Sequence, residues 1–202
     1  SVTGVQTCAL PISLKTDGTI WSFGNNLYGQ LGQNNVTYRS SPVQVGTLVT
    51  WSKIGSSDYS SFAIKTDGTL WTWGRNDWGQ LAQNVSTTTH RSSPVQVGAL
   101  TTWTLVTGSD DGFGAINAPS LEASNLWAGG RGVAGELGQN NIIDRSSPVE
   151  LSSQVSWSSV AKGSGGSGFI VAIKSNGTMF GVGDNSYGQL RSEEHTSELQ
   201  SH

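Results

Sequence analysis

His90, within Thr87-Thr-Thr-His-Arg91, is the one histidine between positions 14 and 190, and that stretch holds no cysteine. A nucleophile needs a base within hydrogen-bond reach, and a zinc site needs three or four ligands. A lone loop histidine supplies neither and is expected to be solvated. Asp110-Asp111 is the one adjacent pair of carboxylates in the same stretch. Such a pair suits a divalent cation or general acid–base work, although in a polar loop it more simply stays in water. Gly130-Arg-Gly-Val-Ala-Gly135 matches the G-x-G-x-x-G pattern. That pattern cradles a pyrophosphate only where a strand leads into a helix, and no helix-period run follows here. No convergent acid, base, nucleophile or metal set is in view, so the reading is of a non-enzymatic protein with no cofactor and no metal.

These residues must be positioned by a repeat. Lys15-Thr-Asp-Gly-Thr-Ile-Trp21 returns as Lys65-Thr-Asp-Gly-Thr-Leu-Trp71 and, altered, as Lys174-Ser-Asn-Gly-Thr-Met-Phe180. Tyr28-Gly-Gln-Leu31 returns as Trp78-Gly-Gln-Leu81, Ala134-Gly-Glu-Leu137 and Tyr187-Gly-Gln-Leu190. Arg39-Ser-Ser-Pro-Val43 returns at Arg91 and Arg145, 52 and 54 residues apart. A period of this length marks stacked supersecondary units, none of which buries its apolar face alone.

The second repeat shows the unit most clearly. Phe62 and Ile64 share one face of a short run, Asp67-Gly68 follows, and Leu70-Trp-Thr-Trp73 completes a hairpin. Asp-Gly between two such runs predicts a type I′ turn. A run opening at Trp51 precedes the hairpin, and Ser93-Pro-Val-Gln-Val97 follows the Gly-Gln-Leu loop, with proline where a strand tolerates a missing N–H. The predicted fold is all-β: a β-propeller fragment of four-stranded antiparallel blades forming an incomplete ring. A β-solenoid coil is usually shorter than ~50 residues, and a β-sandwich has no reason to repeat its sequence. Trp51, Trp103 and Trp157 fall at equivalent places and are expected in the core. In the third repeat Asn117-Ala-Pro-Ser-Leu-Glu-Ala-Ser-Asn125 replaces the tight turn and predicts a hairpin with a longer tip.

The ends lie outside this pattern. One DNA string encodes Arg191–Ser201, and its reverse complement encodes Val2–Ile12; the string resembles a short-read sequencing adapter. Residues 1–13 and 191–202 are therefore expected to be adapter-derived, leaving 14–190 as a partial propeller from a longer protein. Cys8, His195 and His202 then carry no weight. Setting aside Arg191, Glu193, Glu194 and Glu198 leaves 10 basic and 11 acidic residues. Near-zero charge argues against a nucleic-acid partner, which needs a basic face. No apolar run is long enough to cross a bilayer, and eight tryptophans argue against disorder.

The run Ala63-Ile-Lys-Thr-Asp-Gly-Thr-Leu-Trp-Thr-Trp-Gly-Arg-Asn-Asp-Trp-Gly-Gln-Leu81 resembles the regulator of chromosome condensation repeat, especially its bacterial and viral versions. The resemblance covers nearly all of 14–190. It implies a propeller of about seven blades, of which this chain holds part of one, two full ones and most of a fourth. It also implies that the loop between first and second strands helps form a partner-binding face. Tyr59 and Asp111 stand where a family histidine often occurs. On that reading Asp58, Tyr59, Asp110 and Asp111 are the candidate binding residues, with Ser164–Gly168 as the corresponding loop of the fourth repeat. The expected function is a repeat scaffold that binds a protein or glycan through one face. The alternative implied by the resemblance is guanine-nucleotide exchange on a small GTPase, which the missing loop histidines and lack of basic character weaken. The low charge and near-identical repeats point to a bacterial surface or phage-borne setting.

Overall fold

The structure is a computed structural model that describes residues 2–3, 12–85, 88–120, 123–133, 135, 137–163, 168–186 and 190. Its strands form four antiparallel sheets in an open arrangement. The first joins β1 (Val2–Thr3), β2 (Ile12–Lys15), β3 (Ile20–Gly24) and β4 (Arg39–Gln44). The second joins β5 (Trp51–Ser56), β6 (Ser60–Lys65), β7 (Leu70–Gly74) and β8 (Arg91–Gln96), and the third β9 (Trp103–Ser109), β10 (Gly112–Asn117), β11 (Ser124–Gly130) and β12 (Arg145–Val155). The fourth shows β13 (Trp157–Lys162), β14 (Phe169–Lys174) and β15 (Met179–Gly183). In each sheet, spatial order equals chain order. The first strands β5, β9 and β13 pack in succession, so the blades are arranged side by side around them.

The hairpin turns differ from the predicted type I′. Only the glycine of each Asp-Gly or Asn-Gly pair has positive φ: Gly18 at 79°, Gly68 at 77° and Gly177 at 88°. Gly68 N–H donates to the Lys65 carbonyl, and Lys65 N–H donates to the Thr69 carbonyl. This is a three-residue loop, a turn closed by a left-handed glycine. The aspartate has a second task that the turn rule overlooks. Asp67 Oδ1 accepts from both the backbone N–H and the hydroxyl of Thr69, at 3.0 and 2.6 Å. Thr69 Oγ1 in turn accepts from Trp71 Nε1 at 2.8 Å. Asp17, Thr19 and Trp21 repeat the chain of bonds. The longer third hairpin is also present, with Asn117 opposite Asn125.

The core lies between blades. Ile20 and Val45 of the first sheet pack with Trp51, Ala63 and Trp73 of the second. Phe62, Ile64 and Leu70 pack with Trp103, Val106 and Phe113 of the third, and Ile116 and Leu126 pack with Trp157, Val160 and Ile170 of the fourth. Trp51, Trp103 and Trp157 are 3%, 3% and 6% exposed, as their spacing predicts. Each meets an aromatic ring of its own blade edge-on: Trp71, Trp127 and Phe180, with centroids 5.6–6.1 Å apart. Fully burying a large apolar side chain contributes ~2–3 kcal/mol, so each interface gains stability that no lone blade has.

The expected domain boundary at residue 14 falls inside β2. Ile12 is buried and joins the first interblade core. Residues 191–202 lie outside the described residues.

Candidate functional site

The site begins with two glycines. Gly74 and Gly130 end the third strands of successive blades with φ of 106° and 110°. A Cβ at Gly74 would fall 2.3 Å from the Tyr59 carbonyl oxygen, and one at Gly130 would fall 2.2 Å from that of Asp111. Their bare backbones let the loop between first and second strands settle onto the strand end. There Arg75 N–H donates to the Tyr59 carbonyl at 2.8 Å, and Arg131 N–H donates to the Asp111 carbonyl at 2.7 Å. Tyr59 and Asp111 are thus held at equivalent places in adjacent blades.

The two loops touch. Asp58 N–H donates to Asp110 Oδ1 at 3.1 Å, across 52 residues of sequence. Partial burial, followed by the negative charge of Asp110, raises the Asp58 carboxyl above its usual range. Asp110 and Asp111 do not converge on a common point. Asp111, at 14% side-chain exposure, faces Arg131 at 3.6 Å, so its charge is balanced, while Asp110 serves the neighbouring loop. This separates them as a cation or acid–base pair. Among the described residues no group of three or more His, Cys, Asp or Glu could hold a metal.

Around these loops lies an arginine–aromatic arrangement. The Arg75 guanidinium is 5.3 Å from the Tyr28 ring centroid and 5.6 Å from that of Tyr59, and the two tyrosines meet edge-on at 5.3 Å. One blade later, Arg131 lies 5.1 Å from the Trp78 ring. In each case the aromatic preceding Gly-Gln-Leu in one blade receives the arginine following the strand-end glycine of the next. Gln30 and Gln80 fix those aromatics, their side-chain oxygens accepting the N–H of Tyr28 and Trp78. His90 is exposed, as expected of a lone loop histidine, and its ring also makes contacts. Its Nδ1 accepts from Asn76 N–H at 3.1 Å, its Nε2 lies 3.8 Å from Asp77 Oδ1, and its ring meets Tyr28 edge-on at 5.0 Å. Asp77 also accepts from Arg75 Nε.

Sequence reasoning singled out Asp58, Tyr59, Asp110 and Asp111 and missed Tyr28, Trp78, Arg75 and Arg131. The signal was available: Gly130-Arg131 aligns with Gly74-Arg75, and the ring position before Gly-Gln-Leu recurs. The loop at 164–167 falls outside the described residues. The G-x-G-x-x-G segment begins where β11 ends, and its described residues continue as turn and irregular backbone with no helix among them. The glutamine and asparagine pairs tie turns: Gln33 Nε2 donates to the Gln44 carbonyl, Gln139 Nε2 to that of Glu150, and Asn35 Nδ2 to that of Gln33.

An arc of antiparallel blades with a shared interblade core is a β-propeller architecture of the repeat-scaffold class. The chain belongs to the regulator of chromosome condensation (RCC1) repeat family, whose models match residues 17–64, 67–116, 51–80 and 160–189. No curated protein matches the sequence. Among solved structures, human WBSCR16 is similar at 19% identity and a TM-score of 0.74, covering 92% of this chain and 48% of that one. Prp20p from Saccharomyces cerevisiae, reported with its binding to Gsp1p and histones, is similar at 22% identity and a TM-score of 0.71 (87% and 43% covered). Yeast RCC1 (Prp20) bound by Kap60 gives 21% identity and a TM-score of 0.72 (88% and 42% covered). The chain spans under half the length of each, and at these identities the likeness is one of fold. No described helix is long and apolar enough to cross a membrane.

Proposed function

We propose that this protein is a non-enzymatic scaffold that captures a protein partner on the face formed by the loops 57–60 and 109–112. The observation that carries the reading is the 3.1 Å bond from Asp58 N–H to Asp110, which joins loops of successive blades into one surface. Loops vary between repeats while strands do not, so a rigid frame presents differing contacts. Tyr59, half-buried between Tyr28 and Arg75, is a pre-ordered aromatic anchor of the kind that dominates interfaces. Asp58 and Asp110 place negative charge beside it and steer a basic partner. Protein binding by the structurally similar Prp20p supports a protein ligand of this kind.

A photo-crosslinker at Asp58 tests the reading against one at Met179, an exposed residue at the far end of its blade. The Asp58 probe is expected to trap a defined partner that the Met179 probe does not. A Tyr59→Ala/Asp110→Asn variant should lose that capture while keeping its thermal melt. Equal trapping at both ends, or undiminished capture by the variant, would overturn the proposal.

A further inference from the structure

A cleft of about 440 Å³ opens between the first and second blades, lined by Trp71, Trp51, Leu48, Pro94, Gln44 and Asn34 among others. Trp51 and Trp71 lie near the starts of their strands, whereas Tyr59 follows the end of β5. The cleft is therefore at the opposite end of the blade from the face described above, and its reading is independent of that proposal. Its volume falls in the range of small-ligand sites.

We infer that this cleft binds a neutral sugar residue, stacked on Trp71 and hydrogen-bonded by Gln44 and its polar neighbours. The indole is held in place before any ligand arrives. Trp71 Nε1 donates to Thr69 Oγ1 at 2.8 Å, Trp51 meets the ring edge-on at 6.1 Å, and the Lys65 ammonium lies 3.6 Å from its centroid. A fixed aromatic plane suits the apolar C–H face of a pyranose, and amides or hydroxyls at its edge suit the ring hydroxyls. The lining residues carry no charge, and the Lys65 ammonium beside them is already engaged on the Trp71 and Trp51 rings, so a neutral ligand is favoured over a charged one.

Comparison with the next blade interface shows that Gln44 is distinctive. Repeat alignment places Gln96 where Gln44 stands. Gln96 Nε2 is spent on the Gly98 carbonyl at 3.1 Å. The Gln44 side-chain amide has no partner among the described residues, and only its backbone carbonyl is used, by Gln33. An amide left available beside a braced indole is a combination that packing alone does not require.

The test is a glycan array probed with the full chain, containing neutral and sialylated or sulfated glycans, followed by calorimetry with the best neutral oligosaccharide. Neutral glycans are expected to be retained with a Kd of about 1 mM or tighter, and anionic ones are not. Gln44→Ala, which removes an amide with no hydrogen-bond partner among the described residues, should weaken binding about fivefold, the effect of one neutral hydrogen bond. Trp71→Ala should weaken it about tenfold or more. Retention of no neutral glycan, equal affinity for anionic ones, or an unchanged Kd in Gln44→Ala would each overturn the proposal. So would occupancy of the cleft by a proline-rich peptide in place of sugar.

Discussion

The indole Nε1 of Trp73 donates a 2.9 Å hydrogen bond to the backbone carbonyl of Gln30, 43 residues earlier and in the preceding blade. The same carbonyl accepts from Ser61 Oγ at 2.9 Å. Gln30, fully buried, holds Tyr28 with its side chain. One peptide group thus links the interblade core to the aromatic ring on the candidate binding face. Trp73→Phe keeps most of the burial and leaves Ser61 on the carbonyl, so the expected loss is about 0.5–1.5 kcal/mol. Trp73→Ala should cost ~3–5 kcal/mol. Urea unfolding of the two variants separates the hydrogen bond from the packing, and equal losses would refute the division.

Trp103 packs with residues of the second and third blades, so its removal should be felt at an interface and not within one sheet. Trp103→Ala is expected to lower stability by ~3–5 kcal/mol. Hydrogen exchange should rise in both β6 and β10. A change confined to β10 would contradict an interblade core.

Gly68 and Gly98 both have positive φ, at 77° and 58°. A Cβ at Gly68 would fall 2.0 Å from the Thr101 carbonyl oxygen, whereas one at Gly98 meets nothing within 4 Å. Gly68→Ala should therefore destabilise by more than the ~1 kcal/mol of a purely conformational penalty, and Gly98→Asn should be nearly neutral. Parallel thermal melts check the contrast, and similar Tm values would remove it.

Acid sensitivity should come from the hairpin aspartates. Bonds from the Thr19 hydroxyl and N–H, with Lys15 nearby, hold the Asp17 carboxyl at about 2 against an ordinary 3.8. Thr69 lowers Asp67 in the same way. A carboxyl depressed on folding contributes stability that is complete above its unfolded pKa and is lost as pH falls through the folded one. The contribution should fade between about pH 4 and pH 2. Asp17→Ala/Asp67→Ala should flatten the Tm-versus-pH curve in that window, and an unchanged slope would count against it.

Asp58 has the opposite sign. Its carboxyl is raised by burial and by Asp110, so ionisation at neutral pH opposes folding. Asp58→Asn should leave Tm at pH 7 equal or higher, with the difference vanishing in acid. A clear drop in Tm at pH 7 would show that the carboxylate is a structural group.

The sequence alone determined the unit and its order. Repeated Asp-Gly, Gly-Gln-Leu and Pro-Val signals are local, because each turn or strand start depends on the φ preferences and side-chain bonds of a few adjacent residues. The Trp51, Trp103 and Trp157 spacing likewise announced a periodic core. Even locally, the Asp-Gly rule misjudged the turn, since Thr69 competes for the Asp67 side chain and favours the three-residue loop. What only the tertiary structure decided lies between repeats. Arg75 on Tyr28, Arg131 on Trp78, Asp58 on Asp110 and the cleft at Trp71 each join residues about one period apart. A repeat states which positions are equivalent but not which position of one blade meets which of the next. Interblade packing sets that pairing, through glycines such as Gly74 and Gly130 that allow backbone to lie on backbone.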